Sequence, residues 1–355
     1  AAAAATAGDA SPSSNAVNIP DAEQQQQQPP PPPHAPSKPA EARTAVTSLG
    51  QSRPLPKVDP PPIPGLKDVW DAPDREKDVM IFWHVPKAGG STVKDIVGAC
   101  HGKVVANEIG VLDGHDKDTK LEVTKIDGQG ETLFVNVDTT TLNGIYRARD
   151  MGLGPSGLAG LIVTPFIKET STLFDPRSDR KGRVFATFRH PLDRVTSLFK
   201  YLQYADWEPT YDPKLKDWSL EKYAESDRIE NNWMTRHLTS TYDADLTDVH
   251  LAQAMEVMRT KIVVGLMNRM DETMNRFETY FGLTYRLNPT EQESCREGLF
   301  TVGTNIGGNT DGHAGADRDN YNKVEKPKPG SRTYELIMAQ NEYDMELYKF
   351  ASNRF

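Results

Sequence analysis

One segment of this sequence constrains the fold more than any other. Residues 79–84 read Val-Met-Ile-Phe-Trp-His, an apolar run with the length of a central strand. The loop after it contains Lys87, Gly89 and Gly90, and apolar residues at helical spacing follow immediately. Paired glycines let a backbone approach a ligand closely, and the amides at a helix N-terminus bind anions. The segment therefore predicts a strand, an anion-binding loop and a helix in that order.

Strand and helix patterns alternate through the first half of the chain. Four further segments have strand character: residues 103–106, 132–137, 160–164 and 183–188. Helical spacing follows at residues 139–151 and from Pro191 onward. The second half is mainly helical, with one more strand predicted at 262–266 and helices at about 220–226, 230–238, 247–259, 271–281 and 333–352. This alternation predicts an α/β fold with a parallel sheet flanked by helices on both faces.

The first 65 residues differ in composition from the rest. They contain 15 of the 26 prolines and the glutamine run 24–28, and they contain no Phe, Trp or Tyr. A segment without aromatic residues cannot bury enough apolar surface to offset its ordering entropy. Residues 1–65 are therefore predicted to be a disordered tail or stem, with a ligand for a proline-binding domain as the alternative. Residues 66–355 are predicted to form one domain.

Several classes of protein are disfavoured. The net charge of −9 disfavours a duplex nucleic-acid binder, and no run approaches the ~18 apolar residues of a membrane helix. The chain starts with Ala, which leaves room for a signal or anchor upstream. Two cysteines, Cys100 and Cys295, are too few for a disulfide scaffold or a four-cysteine zinc site. They can pair in an oxidising lumen, but separate buried thiols are slightly favoured.

No metal is expected. Residues 305–319 are rich in Gly, Asp and Asn, but they depart from the spacing of an EF-hand. A mobile loop that closes over a nucleotide, with Lys323 or Lys326 reaching the phosphates, is the preferred interpretation. The glycine loop is also not a Walker A loop, because Lys87 precedes the glycines instead of following them.

Residues 84–92, His-Val-Pro-Lys-Ala-Gly-Gly-Ser-Thr, resemble the 5′-phosphosulfate loop of sulfotransferases that use 3′-phosphoadenosine-5′-phosphosulfate (PAPS), especially the Golgi carbohydrate sulfotransferases. A second motif of that family is a buried strand ending in arginine, followed by a helix with serine eight residues later. Arg189 and Ser197 match it, with His190 where relatives more often carry Asp. Weaker likenesses at 230–236, 263–281 and 341–355 extend the resemblance over most of residues 79–355.

The resemblance implies a P-loop-like sulfotransferase fold and transfer of a sulfuryl group from PAPS to a hydroxyl of a carbohydrate. It also implies a Golgi lumenal location, with a type II membrane anchor outside this sequence. Lys87 would neutralise charge on the leaving phosphate, and Arg189 and Ser197 would hold the 3′-phosphate. The 5′-phosphate would be held by Lys87, Ala88, Gly89, Gly90, Ser91 and Thr92.

The general base is not identified by the resemblance. Many relatives carry Gly-His at the end of the strand before the second motif, where this chain has Val-Thr-Pro at 163–165. A base must be His, Glu or Asp near the loop. Glu108 and Glu169 are the predicted candidates, and His190 is either a third or a replacement for the usual Asp.

Residues around the acceptor are also open. Five aromatic residues follow the second motif and predict either a sugar-binding groove or ordinary core: Tyr201, Tyr204, Trp207, Tyr211 and Trp218. An anionic acceptor could meet one of two basic groups: Arg236 with His237, or Arg177, Arg180, Lys181 and Arg183. Two other functions are alternatives, namely a nucleotide-binding protein without catalysis and, less favoured, a small-molecule kinase.

Overall fold

Seven apolar or edge segments form one sheet. The computed structural model describes residues 54–283 apart from Trp207 and Pro209, residues 289–302 and residues 325–355. The strands are β1 (Val79–Trp83), β2 (Val105–Ala106), β3 (Val123–Lys125), β4 (Leu133–Val135), β5 (Leu161–Thr164), β6 (Gly182–Phe188) and β7 (Ile262–Leu266). Their order is β3-β4-β2-β5-β1-β6-β7, and every pair is parallel except β3 with β4. The predicted parallel sheet is confirmed, whereas the short exposed strand β3 was not predicted.

Helices follow most of the strands. They are α1 (Gly90–Asp95), α2 (Leu142–Asp150), α3 (Leu153–Ser156), α4 (Ile167–Ser171), α5 (Pro191–Tyr201), α6 (Leu220–Glu225), α7 (Trp233–Thr239), α8 (Asp248–Lys261), α9 (Met270–Phe281), α10 (Pro289–Val302), α11 (Arg332–Gln340) and α12 (Glu342–Arg354). A π-helical turn, Ile96–Cys100, continues α1, and 3-10 turns occupy Glu108–Lys117, Pro213–Asp217 and Met267–Arg269. None of the helices in the described ranges is long and apolar enough to cross a membrane.

The central strand β1 is covered on both faces. Ile81 and Trp83 belong to a core cluster that includes residues of α8 and α12. Met80 and Phe82 point the other way, into a cluster with residues of α1 and α9. This alternation is the period-two geometry of a strand buried on both sides, as parallel sheets require. Helices therefore pack on both faces, as the strand–helix alternation predicted.

The core also includes residues near the predicted domain boundary. Ile63 and Leu66 are both buried against the sheet, and Leu66 forms a β-bridge with Gly182 at the start of β6. The predicted tail up to residue 53 lies outside the described residues, as does the predicted loop at 305–319.

Two helix boundaries differ from the prediction. The helix expected at 333–352 is divided at Asn341, whose buried amide donates hydrogen bonds to the carbonyls of Ile337 and Glu230. The helix expected from residue 230 begins at Trp233 instead, because Asn232 adopts a left-handed conformation with φ of 48°. Both asparagines form polar contacts between distant segments, and spacing of apolar residues carries no information about such contacts.

The interpretation of the cysteines as separate buried thiols is wrong. Cys100, at the end of the π-helical turn, forms a disulfide with Cys295 of α10, and their Cα atoms lie 6.0 Å apart. Helix α10 was not predicted, and its packing against this turn brings two cysteines 195 residues apart into bonding distance.

Candidate functional site

The predicted anion-binding loop lies at the carboxyl edge of the sheet. Strand β1 is flanked by β5 and β6, so the segments that leave these three parallel strands meet at one edge. The amide of His84 donates a hydrogen bond of 2.9 Å to the carbonyl of Thr164, which joins the exits of β1 and β5. In open parallel sheets this edge is where ligands bind. The strand order therefore places the loop and Arg189 on the same side of the molecule.

The two glycines of the loop are required by its packing. Gly89 has φ of 85°, and a Cβ atom there would lie 2.6 Å from Cε of Met270. A Cβ atom on Gly90 would lie 2.2 Å from Cδ2 of His84. Ala88, between the lysine and the glycines, is fully buried in the core. A larger residue would thus be strained by the positive φ at Gly89 and would displace the His84 ring at Gly90.

Helix α1 begins directly at Gly90, and Ser91 and Thr92 are half-buried in its first turn. The first amides of a helix have no acceptor within the helix, so they point at whatever lies beyond its N-terminus. The helical conformation continues through the π-helical turn to Cys100. Of the residues predicted to hold the 5′-phosphate, Gly90, Ser91 and Thr92 therefore lie in the first turn of a helix, whereas Lys87 and Gly89 have left-handed backbone conformations.

Lys87 is restrained at three points. Its backbone has φ of 59°, a left-handed conformation, and its carbonyl accepts a hydrogen bond of 2.8 Å from Nη1 of Arg189. Its ammonium nitrogen lies 3.7 Å from the centre of the Tyr201 ring. Burial and, next, the charge of Arg189 lower the pKa of Lys87, Glu208 opposes them, and the result is a pKa of about 8. The lysine is a half-buried cation that a negative ligand would stabilise.

Arg189 leaves the end of β6 and is itself partly buried, which lowers its pKa. Ser197 is half-buried on α5, and within the described residues no hydrogen bond joins it to Arg189. His190 caps α5, because its Nδ1 accepts a hydrogen bond of 3.2 Å from the amide of Leu192. Capping is a role that Asp also fills well. This contact fits the replacement of the usual Asp and not a base free to meet substrate.

His84 was not singled out by the sequence. It is the first residue after β1, and its ring occupies the space next to Gly90. Burial, followed by the charges of Lys94 and Lys87, lowers the pKa of His84 to about 4. Its imidazole is therefore neutral at physiological pH. The only sequence signal that His84 packs against the loop is its position directly before the loop.

The two candidate bases occupy different places at the carboxyl edge. Glu108 follows β2, has half of its side chain exposed, and lies 3.9 Å from the ammonium of Lys94 on α1. Glu169 lies on α4, after β5, and the pKa of Tyr242 is raised by burial and, next, by the charge of Glu169. One Glu169 oxygen is buried with no hydrogen-bond partner in the part of the chain that the structure describes. Glu108 therefore contacts α1 through Lys94, whereas Glu169 lies near Tyr242.

Arg236 and His237 have structural roles. The Arg236 guanidinium donates hydrogen bonds to the carbonyls of Thr241, Tyr242 and Ala244 and to Asn231. The ring of His237 stacks on Trp233 with centroids 3.6 Å apart, and its Nδ1 bonds to the Trp233 carbonyl. Both side chains hold α7 and the loop that follows it.

The second basic group lies at the opposite edge of the sheet. Arg183, near the start of β6, is buried and pairs with Asp78 at 2.5 Å. Lys181 donates to the carbonyl of Asp175, and Arg180 donates to the carbonyl of Lys77. They lie before or near the start of β6, whereas Arg189 follows its other end, so the fold separates them from the loop.

The predicted aromatic cluster divides into two parts. Tyr201 faces Lys87, and Tyr204 packs edge-on against Tyr201 with centroids 5.6 Å apart. Trp218 packs instead on the core beneath α5 and α6. Trp207 lies outside the described residues. Lys326 forms an ion pair of 2.8 Å with Asp193, four residues after Arg189.

No family model matches this sequence, and a search of curated proteins finds no significant relative. The geometry is therefore the test of whether a nucleotide with two phosphates fits. The glycine turn packs against Met270 and His84, and the first amides of α1 follow it directly. Two partly buried cations, Lys87 and Arg189, lie beside it. Backbone amides and cations of this kind are the groups that bind phosphates in proteins.

Proposed function

We propose that this chain is a PAPS-dependent sulfotransferase that acts on a hydroxyl of a carbohydrate. The observation that carries the proposal is the position of Lys87, a half-buried lysine between β1 and α1. Its carbonyl accepts a hydrogen bond from Arg189, which follows the neighbouring strand β6. The resemblance of residues 84–92 and 189–197 to the two phosphate motifs of that family points to the same ligand. The proposed domain has the sulfotransferase fold, on the α/β framework described above.

Two groups of residues would hold the donor. The loop from Lys87 to Thr92 would bind the 5′-phosphate through backbone amides and hydroxyls. Arg189 and Ser197 would bind the 3′-phosphate, which distinguishes this donor from ordinary adenylates. The bound donor supplies a sulfuryl group on a good leaving phosphate.

Lys87 would stabilise the negative charge that develops on the leaving oxygen. A cation placed in advance in a partly desolvated site is worth more than the same cation in water. The pKa of about 8 keeps the ammonium mostly charged at pH 7, which this role needs. Arg189 holds the Lys87 backbone and Tyr201 contacts its ammonium, so little reorganisation is required when charge develops.

Glu108 is the proposed base, with Glu169 as the alternative. A carboxylate that accepts the acceptor's proton must be reachable from solvent and lie beside the loop helix. Glu108 meets both conditions through its exposed side chain and its contact with Lys94. The acceptor would enter between the carboxyl ends of β2 and β1.

The proposed location is the lumen of the Golgi. The Cys100–Cys295 disulfide supports an oxidising compartment, because such bonds rarely persist in a reducing cytosol. Lumenal glycans would then be available as acceptors.

Calorimetric titration of the full chain with adenosine 3′,5′-bisphosphate, AMP and ATP–Mg²⁺ tests the proposal. We expect the bisphosphate to bind at least tenfold more tightly than AMP, because only it engages the Arg189 site. Labelled PAPS with a panel of neutral and anionic glycans then tests transfer. Binding of ATP–Mg²⁺ alone would favour a kinase, and bisphosphate binding without transfer to any acceptor would favour a non-catalytic nucleotide-binding protein.

A further inference from the structure

Two contacts link three side chains: Lys87 in the loop, Tyr201 at the end of α5, and Glu208 after that helix. The ammonium of Lys87 lies 3.7 Å from the centre of the Tyr201 ring, and the Tyr201 hydroxyl donates a hydrogen bond of 2.7 Å to Glu208. We infer that Tyr201 and Glu208 form a pair that positions the Lys87 ammonium for the proposed sulfuryl transfer. The inference rests on the proposed function for its role, and on these contacts for its existence.

The Tyr201 ring and the Glu208 carboxylate both stabilise the charged form of Lys87. A cation over the face of an aromatic ring is attracted by the negative face of its quadrupole, and 3.7 Å is well within the ~6 Å limit of that attraction. A phenol that donates to a carboxylate becomes more electron-rich, and this increases the negative potential at the ring face. The carboxylate also attracts the ammonium directly, since the charge of Glu208 opposes the loss of the Lys87 proton.

Helix α5 connects both ends of this lysine. Arg189, two residues before the helix, holds the Lys87 carbonyl, and Tyr201, its last residue, holds the ammonium. A lysine side chain has four rotatable bonds, so it needs a second restraint if its charge is to stay in one place. The helix therefore supplies a fixed distance between the backbone and the charge of Lys87.

The charged groups that face Lys87 make the pair necessary. Arg189, from the end of β6, repels the ammonium, and burial disfavours it as well. His84, at the end of β1, is neutral at pH 7 because its own pKa is about 4. Glu208, after α5, is the acidic group whose charge favours the protonated lysine. Without Tyr201 and Glu208, the remaining neighbours would favour deprotonation.

The test is the titration of Lys87 in the full chain without any donor. Lysine labelled with ¹³C at Cε reports the charge of each lysine by NMR, and Lys87→Arg assigns the resonance. We expect a midpoint near pH 8 in the parent chain. The midpoint should fall by about one pH unit in Tyr201→Leu and by less in Tyr201→Phe, which keeps the ring but loses the hydrogen bond to Glu208.

Tyr146→Leu is the matched control. Tyr146 also contacts a cation, Arg149 at 5.2 Å, but both residues lie on α2. This variant should leave the Lys87 midpoint unchanged. Glu208→Gln keeps the size of the side chain and removes its charge, so it should also lower the midpoint, and it decides the question if Tyr201→Leu fails to fold. Parent-like midpoints in the folded Tyr201→Leu and Glu208→Gln variants would overturn the inference.

A second readout separates this inference from the proposed function. In the presence of PAPS and an acceptor, Tyr201→Leu should reduce kcat about tenfold and change the affinity for adenosine 3′,5′-bisphosphate less than threefold. If the parent chain bound no bisphosphate, the proposed function would fail while the donor-free titration still tested the pair. A shifted midpoint with an unchanged kcat would show that the pair exists but does not position a catalytic lysine.

Discussion

Arg189 donates a hydrogen bond of 2.8 Å from Nη1 to the carbonyl oxygen of Lys87. The arginine predicted to bind the 3′-phosphate therefore also holds the loop predicted to bind the 5′-phosphate. The two predicted phosphate sites would thus share one side chain. Mutations at Arg189 must accordingly be interpreted at both sites.

Replacement of Arg189 should weaken the binding of adenosine 3′,5′-bisphosphate more than the binding of AMP. Arg189→Ala removes a charged partner of the 3′-phosphate and the support of Lys87, so affinity for adenosine 3′,5′-bisphosphate should fall about 10- to 100-fold. Affinity for AMP should fall less than about fivefold, because AMP loses only the loop support. Arg177→Ala, at an exposed arginine, should change neither affinity. Equal losses for both nucleotides would show that the 3′-phosphate lies elsewhere.

The two candidate bases can be distinguished by the same substitution at each. Glu108→Gln should lower kcat by about 10²- to 10⁴-fold without changing the affinity for adenosine 3′,5′-bisphosphate. Glu169→Gln should retain most of the activity, because Glu169 lies near Tyr242. Measured transfer rates and calorimetric affinities for both variants check this. Loss of activity in Glu169→Gln alone would assign the base to Glu169.

Strain at Lys87 should be visible in stability. Its φ of 59° is costly for any residue with a Cβ atom. Lys87→Gly should therefore be more stable than Lys87→Ala, with a free energy of unfolding about 1 kcal/mol larger. At Lys349, exposed in the interior of α12, the order should reverse, because glycine is the poorer helix former. Urea denaturation of the four variants measures both differences. The same order at both positions would contradict a strained Lys87.

Gly90 should be coupled to His84. Gly90→Ala places a methyl group where the His84 ring lies, and should lower the free energy of unfolding by about 1–3 kcal/mol. The same variant should lose bisphosphate binding. His84→Ala in the same chain should recover about half of that stability, which a double-mutant cycle measures. Gly298→Ala, on α10 with no atom within 4 Å of the new Cβ, is the control that should not destabilise. Purely additive effects would contradict the contact.

The disulfide should contribute to the stability of the whole domain. Cys100 and Cys295 close a segment of 195 residues, and removing such a bond typically costs about 2–4 kcal/mol. Cys100→Ala with Cys295→Ala should lower the midpoint of urea unfolding accordingly. Dithiothreitol should lower the midpoint of the parent chain and leave that of the double variant unchanged. A parent chain indifferent to the reductant would show that the cysteines are not paired.

Most elements at the site could be predicted because their signals are local. Strand β1, strand β6 and helix α5 have continuous apolar runs or helical spacing, and all three are confirmed. Strand β3 and helix α10 were missed, since β3 has three residues with two exposed and α10 has no strong apolar face. The break at Asn341 was missed because it depends on a hydrogen bond to Glu230, a residue 111 positions away.

The sequence by itself determined that a glycine turn with a lysine stands between a buried strand and a helix, because strand, turn and helix are each written in neighbouring residues. Only the tertiary structure decided what that lysine meets. Arg189 is 102 residues from Lys87, and Tyr201 reaches it from the far end of α5. Such neighbours follow from the order of strands and the docking of helices, which depend on the whole core and not on local periodicity.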